Sequence, residues 1–211
     1  MIDVREPIRT RPAGSAELDD HVHVGDVLEP FELTTINGDA IQVPDAERLV
    51  HLQFRRYAGC PVCNLHLHSI AKRHGEILAA GIREVVVFHS RVETMRDLQG
   101  HLPFAAIADP EKKLYARFGV EKMSPLLALN PRSWHAAANA LLNAPSLRGA
   151  TGKGEEHMGL PAEFLIHPDG QVVAVKYGKI TDDHWSVDQL LDLERGLSMP
   201  TTSAATIRSR V

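Results

Sequence analysis

Both cysteines of this 211-residue chain lie in one short segment, Cys60-Pro61-Val62-Cys63. Residues 50–54, just before it, alternate apolar and polar side chains, which is typical of a strand. Apolar residues then recur about every 3.6 positions over residues 61–80, which predicts one long helix. The chain must turn tightly at Gly59 between these elements, so we expect Cys60 at the helix N-terminus.

The other patterns predict an α/β fold with a mixed central sheet and helices on both faces. Alternating strands and helices are expected at 85–88, 92–99, 104–108 and 111–118. An N-terminal hairpin is expected at 31–34 and 40–43, around Asn37-Gly38. A final hairpin is expected at 163–166 and 172–175, around Pro168-Asp169-Gly170, followed by a helix from Ser186. This order fits the thioredoxin fold.

We expect one domain over residues 25–197, which is long enough for a sizeable core. An N-terminal arm, 1–24, precedes it, and a Ser- and Thr-rich mobile tail, 198–211, follows it. Residues 120–158 lack a regular pattern apart from helical composition at 134–142. We interpret them as an insertion before the final hairpin that covers the site and, with the arm, offers surface for a homodimer.

Composition excludes several partners. A net charge of −4 and a pI near 6.3 give no basic field for nucleic acid or an acidic membrane surface. The sequence has no apolar run of about 18 residues and begins with charged residues where a secretory signal would be apolar. Two cysteines make no secreted disulfide framework, so a cytoplasmic protein is expected.

The cysteine segment predicts thiol chemistry. A thiolate is stabilised by a helix N-terminus and by nearby cations, and Arg55 and Arg56 are close in sequence. We therefore predict that Cys60 attacks and that Cys63, one helical turn deeper, closes a disulfide and releases the product. Gly59 and Pro61 would shape the substrate-facing turn.

Other interpretations of these residues remain open. The pair could be buried and inert, or could bind a metal with histidines such as His66 and His68; those two point in different directions on a helix, and we predict no metal or cofactor. Pro161 could have a cis peptide that exposes a backbone edge, beside Leu160, or could be a trans proline starting an edge strand. Trp134 could form a substrate wall or belong to the core.

The sequence resembles the peroxiredoxin-like 2 group of the alkyl hydroperoxide reductase and thiol-specific antioxidant family, within the thioredoxin superfamily. The resemblance covers residues 25–197. It rests on residues 25–33 with Gly38, on residues 54–63 and on residues 159–166 with Asp169-Gly170; 182–184 and 190–191 also match.

Departures from the family pattern bear on the activity. The family places a peroxide-holding Thr or Ser three residues before the reactive cysteine and a proline seven before it, where this chain has Tyr57 and Gln53. The family's later active-site arginine is absent from residues 160–163. The favoured function is therefore thiol–disulfide exchange with a disulfide substrate and a reducing thiol protein or small thiol. Hydroperoxide reduction through a Cys60 sulfenic acid is the first alternative, and a non-catalytic binding module is the second.

Overall fold

A computed structural model describes residues 9–10, 21–120, 131–143, 146–152, 154–157 and 159–198. The strands are β1 Arg9–Thr10, β2 Val27–Leu28, β3 Phe31–Thr34, β4 Ala40–Val43, β5 Leu49–Phe54, β6 Ile82–Phe88, β7 Ala105–Ala108, β8 Ala162–Ile166 and β9 Val172–Tyr177. The helices are α1 Pro61–Lys72, α2 His74–Ala79, α3 Val92–Gln99, α4 Lys113–Arg117, α5 Pro131–Asn143 and α6 Val187–Ser198.

The central sheet has the strand order β7-β6-β5-β8-β9. Strands β5, β6 and β7 are parallel, whereas β8 is antiparallel to β5 and to β9. One face packs against the β3–β4 hairpin and α4, and the other packs against α1, α2 and α6. The predicted fold class, a mixed sheet with helices on both faces, is confirmed.

The two predicted hairpins form where the turn residues indicated. Gly38 has a φ of +97° between β3 and β4, and Gly170 has a φ of +90° between β8 and β9. Both angles lie in the left-handed region that glycine adopts without a Cβ clash. The turn residues were therefore a reliable signal.

The prediction of one long helix over 61–80 is wrong, because the helix breaks at Arg73. Its backbone angles are φ −108° and ψ 16°, outside the helical range, and α2 starts at His74. The Arg73 side chain binds Glu76 and, at 2.7 Å, Asp188 next to the start of α6. Gly75 also weakens the local helix preference. The apolar spacing did not reveal this change in helix direction, which the tertiary contacts of Arg73 accompany.

The two faces of β5 differ in polarity, and this difference positions the site. Val50, Leu52 and Phe54 lie in the apolar core, whereas the intervening His51 and Gln53 are also fully buried. Across the ladder, His51 pairs with Glu84 of β6 and Gln53 pairs with Glu163 of β8. A buried polar row therefore crosses three neighbouring strands on the face covered by α1.

Most of the predicted arm and the whole predicted tail beyond Ser198 lie outside the described residues, so the domain boundaries stay predictions. Within the arm, β1 pairs antiparallel with β2, and Val22 is buried, with its N–H donating to the Tyr177 hydroxyl at 2.7 Å. In the described part of the chain, no helix is both long and apolar enough to cross a membrane.

Candidate active site

Cys60 caps the N-terminus of α1 with its side chain. Its Sγ accepts the backbone N–H of Cys63 at 3.4 Å, and Pro61 occupies the first turn, where a missing N–H costs nothing. Both cysteines are free thiols with no exposed surface. The structure therefore brings Cys60, Pro61 and Cys63 together at the helix N-terminus.

Arg56 supplies the cation at Cys60. Its guanidinium donates to the Cys60 Sγ at 2.9 Å and to the His157 carbonyl oxygen at 3.2 Å. Charge-assisted hydrogen bonds of this kind stabilise a thiolate over a thiol. Of the two arginines that the sequence singled out, Arg56 is the one in contact with this sulfur.

The two thiols titrate as a pair. Their mutual hydrogen bond holds the pKa of Cys63 well below its usual value, and the charges of Arg56, His184 and Arg55 act in the same direction against burial. Burial and the same hydrogen bond raise the pKa of Cys60, while Arg56 opposes that rise. The pair therefore loses its first proton more easily than its second.

A covering segment, the described residues of 146–157, lies over the Cys60 turn. The Tyr57 hydroxyl donates to the Ala150 carbonyl oxygen at 2.8 Å, and its ring lies 4.4 Å from that of His157. At Gly59, a Cβ would collide with the backbone of Gly149. Gly59 and Tyr57 therefore hold this segment close to the sulfur.

Arg55 faces away from Cys60, into the buried polar row. It is fully buried and donates to Glu163 Oε1 at 2.9 Å, to His66 Nδ1 at 3.0 Å, and to His184 Nδ1 and Gln53 Oε1. Burial alone would raise the pKa of Glu163, but the charge of Arg55 holds that pKa well below its usual range. Arg55 thus forms a buried ion pair behind the cysteines instead of contacting Cys60.

His66, Glu163 and His184 also form a group with metal-ligand spacing, their ligand atoms lying within 4.8 Å of one another. The Arg55 guanidinium, however, donates to all three. A divalent cation at this place would lie against a fixed positive charge. The cluster fits an internal guanidinium rather than a metal ion.

His89 is a further buried group that sequence reasoning missed. It follows β6, its Nε2 has no hydrogen-bond partner among the described residues, and this atom lies 3.8 Å from where a Cβ of Gly159 would stand. The same Cβ would lie 3.3 Å from Arg56 Cγ, so the three residues are neighbours. Burial, assisted by the charge of Lys112, lowers the pKa of His89 to about 4, which keeps its ring neutral.

The remaining predicted site residues have different outcomes. The peptide bond before Pro161 is trans, since the cis bond that the described residues contain is Val43–Pro44. Pro161 is buried and accepts the Gly178 N–H at 2.8 Å, directly before β8, whose Ala162 pairs with Phe54. Leu160 is partly buried beside it.

The side chain of Trp134 lies outside the described residues, although α5 packs against α1.

Arg148, in the covering segment, pairs with Asp97 at 3.0 Å on the surface. Sequence reasoning did not assign Glu163 and His184 to the site, and it considered His66 only as a possible metal ligand. The available signal was a carboxylate in the middle of an apolar strand, Ala162-Glu163-Phe164, and Gln53 in β5. Both polar residues interrupt runs that should be buried, and a buried charge requires a partner.

The model of the AhpC/TSA family matches residues 24–175. This chain belongs to the AhpC/TSA family. It is a thiol-dependent redox protein, an oxidoreductase acting on peroxides or disulfides. The non-catalytic binding module does not fit this membership. No curated protein sequence matches the chain.

Solved structures place this AhpC/TSA chain among thioredoxin-like folds. The peroxidoxin BcpB from Mycobacterium tuberculosis is 19% identical with a TM-score of 0.61, covering 85% of this chain and 100% of that one. Peroxiredoxin 6 of Arenicola marina is 14% identical with a TM-score of 0.60, covering 83% and 73%. A putative thiol:disulfide interchange protein DsbE from Chlorobium tepidum is 17% identical with a TM-score of 0.53, covering 82% and 99%. At these identities the similarity supports the fold alone.

Proposed function

We propose that this AhpC/TSA chain is a thiol–disulfide oxidoreductase in which Cys60 is the nucleophile and Cys63 the resolving thiol. The observation that carries the proposal is the convergence of the Arg56 guanidinium and the Cys63 N–H on the Cys60 sulfur. These donors stabilise negative charge on Cys60 when it attacks or leaves. Cys63 lies one helical turn further into α1, within reach of a disulfide bonded to Cys60.

The reaction has two balanced steps. The Cys60 thiolate attacks one sulfur of a substrate disulfide, forming a mixed disulfide and expelling one thiolate. The Cys63 thiolate then attacks the Cys60 sulfur, forming the Cys60–Cys63 disulfide and expelling the second thiolate. Any proton that the reduced pair carries passes to the expelled thiolates, the substrate gains two electrons and the cysteine pair loses two.

The Tyr57 contact favours exchange over peroxide reduction. Tyr57 stands where the family pattern has a peroxide-holding hydroxyl, and its own hydroxyl donates to the Ala150 carbonyl oxygen. Burial, with the neighbouring thiolate charge, raises the pKa of Tyr57 to about 12, so this hydroxyl stays a donor at neutral pH. It is therefore committed to the covering segment and is not free to hold a peroxide.

Hydroperoxide reduction is the second candidate, and the Arg56 contact favours it as well. In that reaction the Cys60 thiolate would attack the terminal peroxide oxygen, leaving a Cys60 sulfenic acid and releasing an alcohol or water. Cys63 would then condense with the sulfenic acid to give the same disulfide and water. Both candidates require a reducing thiol protein or a small thiol to regenerate the pair, which suits a cytoplasmic location. The homodimer considered from the sequence remains part of this proposal.

The two candidates are separated by stopped-flow oxidation of the reduced protein. Hydrogen peroxide, an organic hydroperoxide and a small disulfide are compared at equal concentration, each with free cysteine as the reference thiol. We expect the disulfide to be the substrate with the largest acceleration over free cysteine. Acceleration by several orders of magnitude with a hydroperoxide, and little with the disulfide, would replace exchange by peroxidase activity.

A Cys63→Ser variant tests the assignment of roles. It retains Cys60 but cannot resolve the mixed disulfide, so we expect a stable adduct with half of the substrate, detected by intact mass. The Cys60→Ser variant is the matched control and should form no such adduct. An adduct in the Cys60→Ser variant, and none in Cys63→Ser, would show that the roles of the two cysteines are reversed.

A further inference from the structure

The buried cluster around Arg55 lies behind Cys63. His66 follows Cys63 by three positions on α1, so the two side chains share one face of the helix. His66 Nδ1 accepts from Arg55 at 3.0 Å, which ties that helical face to the end of β5. Glu163 binds Arg55 from β8, and His184 binds it from the loop before α6. Cys63 is therefore enclosed on its inner side by a fixed charged cluster.

The hydrogen bonds define the charge state of the cluster. A guanidinium has donors only, so Nδ1 of His66 and Nδ1 of His184 must both accept. Each ring then carries its proton on Nε2; that of His66 donates to the Trp185 carbonyl oxygen at 2.8 Å. Burial and the charge of Arg55 lower the pKa of both histidines, in agreement with neutral rings.

Arg55 and Glu163 are therefore the two charges of the cluster. Glu163 is fully used, because Oε1 accepts from Arg55 and Oε2 accepts the Trp185 N–H at 2.5 Å. His184 Nε2, by contrast, is buried and has no hydrogen-bond partner among the described residues. The cluster consequently retains an unused N–H donor next to a fixed cation.

In the second step of exchange, Cys63 must attack as a thiolate, which a nearby cation stabilises. In the mixed disulfide, the Cys60 sulfur has no proton to donate, so the hydrogen bond that favours the Cys63 thiolate in the reduced pair is lost. Arg56, whose charge also acts on Cys63, is hydrogen-bonded to the Cys60 sulfur and to the His157 carbonyl oxygen on the outer side. Titratable and charged groups that interact with Cys63 on its other sides are Arg55, Tyr57, His89, Tyr115, Asp182 and His184. Arg56 is the permanent cation on the outer side of Cys63, and Arg55 is the permanent cation among the groups on its inner side.

We propose that Arg55, held in place by Glu163, His66 and His184, is a positioning residue that keeps Cys63 charged for attack on the mixed disulfide. Arg55 acts through the field at Cys63 and does not touch the substrate. This inference rests on the proposed exchange function and adds to it the group that drives product release.

Opposite charge changes within the cluster test the proposal. In a Cys60→Ala background Cys63 is the only cysteine, and its ionisation is followed by the pH dependence of its ¹³Cβ chemical shift. We expect Arg55→Met to raise the midpoint by roughly one pH unit or more, a tenfold change in acidity, because a nearby cation is lost. Glu163→Gln should lower the midpoint, because it removes the opposing anion while retaining an oxygen acceptor.

Two further variants separate charge from structure. Arg55→Lys keeps the cation and should restore most of the acidity, whereas Arg73→Met, which removes a surface arginine, should leave the midpoint unchanged. A disturbed fold would shift Arg55→Met and Glu163→Gln in the same direction. Midpoint shifts of equal sign in the two variants would overturn the proposal. If Arg55→Met fails to fold, the absence of a shift in Glu163→Gln would overturn it.

The release step is then measured in the chain with both cysteines. Arg55→Met should accumulate the Cys60 mixed disulfide, with its resolution slowed at least tenfold and the slowing relieved at higher pH. Unchanged resolution would overturn the release role. If the wild-type protein does not react with disulfides while the opposite midpoint shifts still occur, the exchange function fails and the electrostatic role of Arg55 stands. The two failures are therefore distinguishable.

Discussion

Arg55 and Arg56 are adjacent in sequence, but they occupy opposite sides of the cysteine pair. Arg56 is partly exposed and binds the Cys60 sulfur and the covering segment, whereas Arg55 is fully buried in an ion pair with Glu163. Consecutive residues of an extended chain point to opposite sides, so one strand end serves both thiols. Arg56 thereby acts on both sulfurs from the outer side, and Arg55 acts on Cys63 from the inner side.

The two sides also differ in how firmly the cation is fixed. Arg56 depends partly on residues of an irregular segment, through the His157 carbonyl oxygen. Arg55 is held by side chains from β5, α1 and β8 and by the loop that carries His184. The outer cation thus depends in part on a contact with the covering segment, whereas the inner cation is held largely by regular secondary structure.

The largest expected effect concerns the outer side. In a Cys63→Ser background, where Cys60 is the only thiol, Arg56→Met should slow alkylation of Cys60 by iodoacetamide at pH 7. A hydrogen bond to a charged group contributes about 1.5–3 kcal/mol, which corresponds to about tenfold to hundredfold less thiolate. The pH profile of the rate should move to higher pH, because loss of a cation raises the pKa of the thiol.

Arg73→Met in the same background is the matched control, since Arg73 binds Glu76 and Asp188 on the surface. Its alkylation rate should equal that of the parent. An Arg56→Met rate within twofold of the parent would show that the outer cation does not activate Cys60, and the contrast between the two arginines would then fail.

The buried cluster around Arg55, on the inner side of the cysteine pair, should make the stability of the protein sensitive to acid. His66 and His184 are neutral when folded, with a pKa lowered by burial and by Arg55, whereas unfolded histidine titrates near about 6.5. Below that pH the unfolded chain binds more protons than the native chain, so stability falls as pH falls. Glu163 adds a further loss of stability, which begins below its unfolded pKa of about 4.3. This loss continues as pH falls through its folded pKa, which is depressed, because the stabilising charge is then neutralised.

Urea unfolding at pH 7 and pH 5 measures this effect. A histidine that stays neutral in the native state contributes up to about 2 kcal/mol to the difference between these pH values. His66→Asn retains an acceptor near the Nδ1 position and should reduce the difference by up to that amount. His68→Asn, two residues away and exposed, should leave it unchanged. Equal behaviour of the two variants would contradict a neutral, partly buried His66.

The last expected effect, confined to one backbone contact, concerns the close approach of the covering segment to Gly59. Gly59→Ala places a Cβ against the Gly149 backbone, so the segment must shift and the free energy of unfolding should fall by about 1–3 kcal/mol. Gly75→Ala is the control, because a Cβ there meets nothing within 4 Å in α2. The acid sensitivity of the inner side should be the same in both variants. A Gly59→Ala protein as stable as Gly75→Ala would contradict the contact.

The sequence predicted the fold through local signals. Apolar periodicity located β5, β6 and α3, and the glycines of the two hairpin turns located the antiparallel pairs, because these signals depend on neighbours along the chain. The break at Arg73 was missed because it accompanies contacts with Glu76 and with Asp188, which is 115 residues away. Long-range ion pairs leave no periodic signal.

The sequence by itself determined the cysteine pair, its strand-to-helix setting and the presence of two candidate cations. Only the tertiary structure decided on which side of the cysteine pair each cation lies. That decision depends on where β5 ends relative to β8 and α1, since Glu163 and His66 reach Arg55 from other elements. Side-chain direction follows from the strand, but the partners that make a buried charge tolerable come from distant parts of the chain.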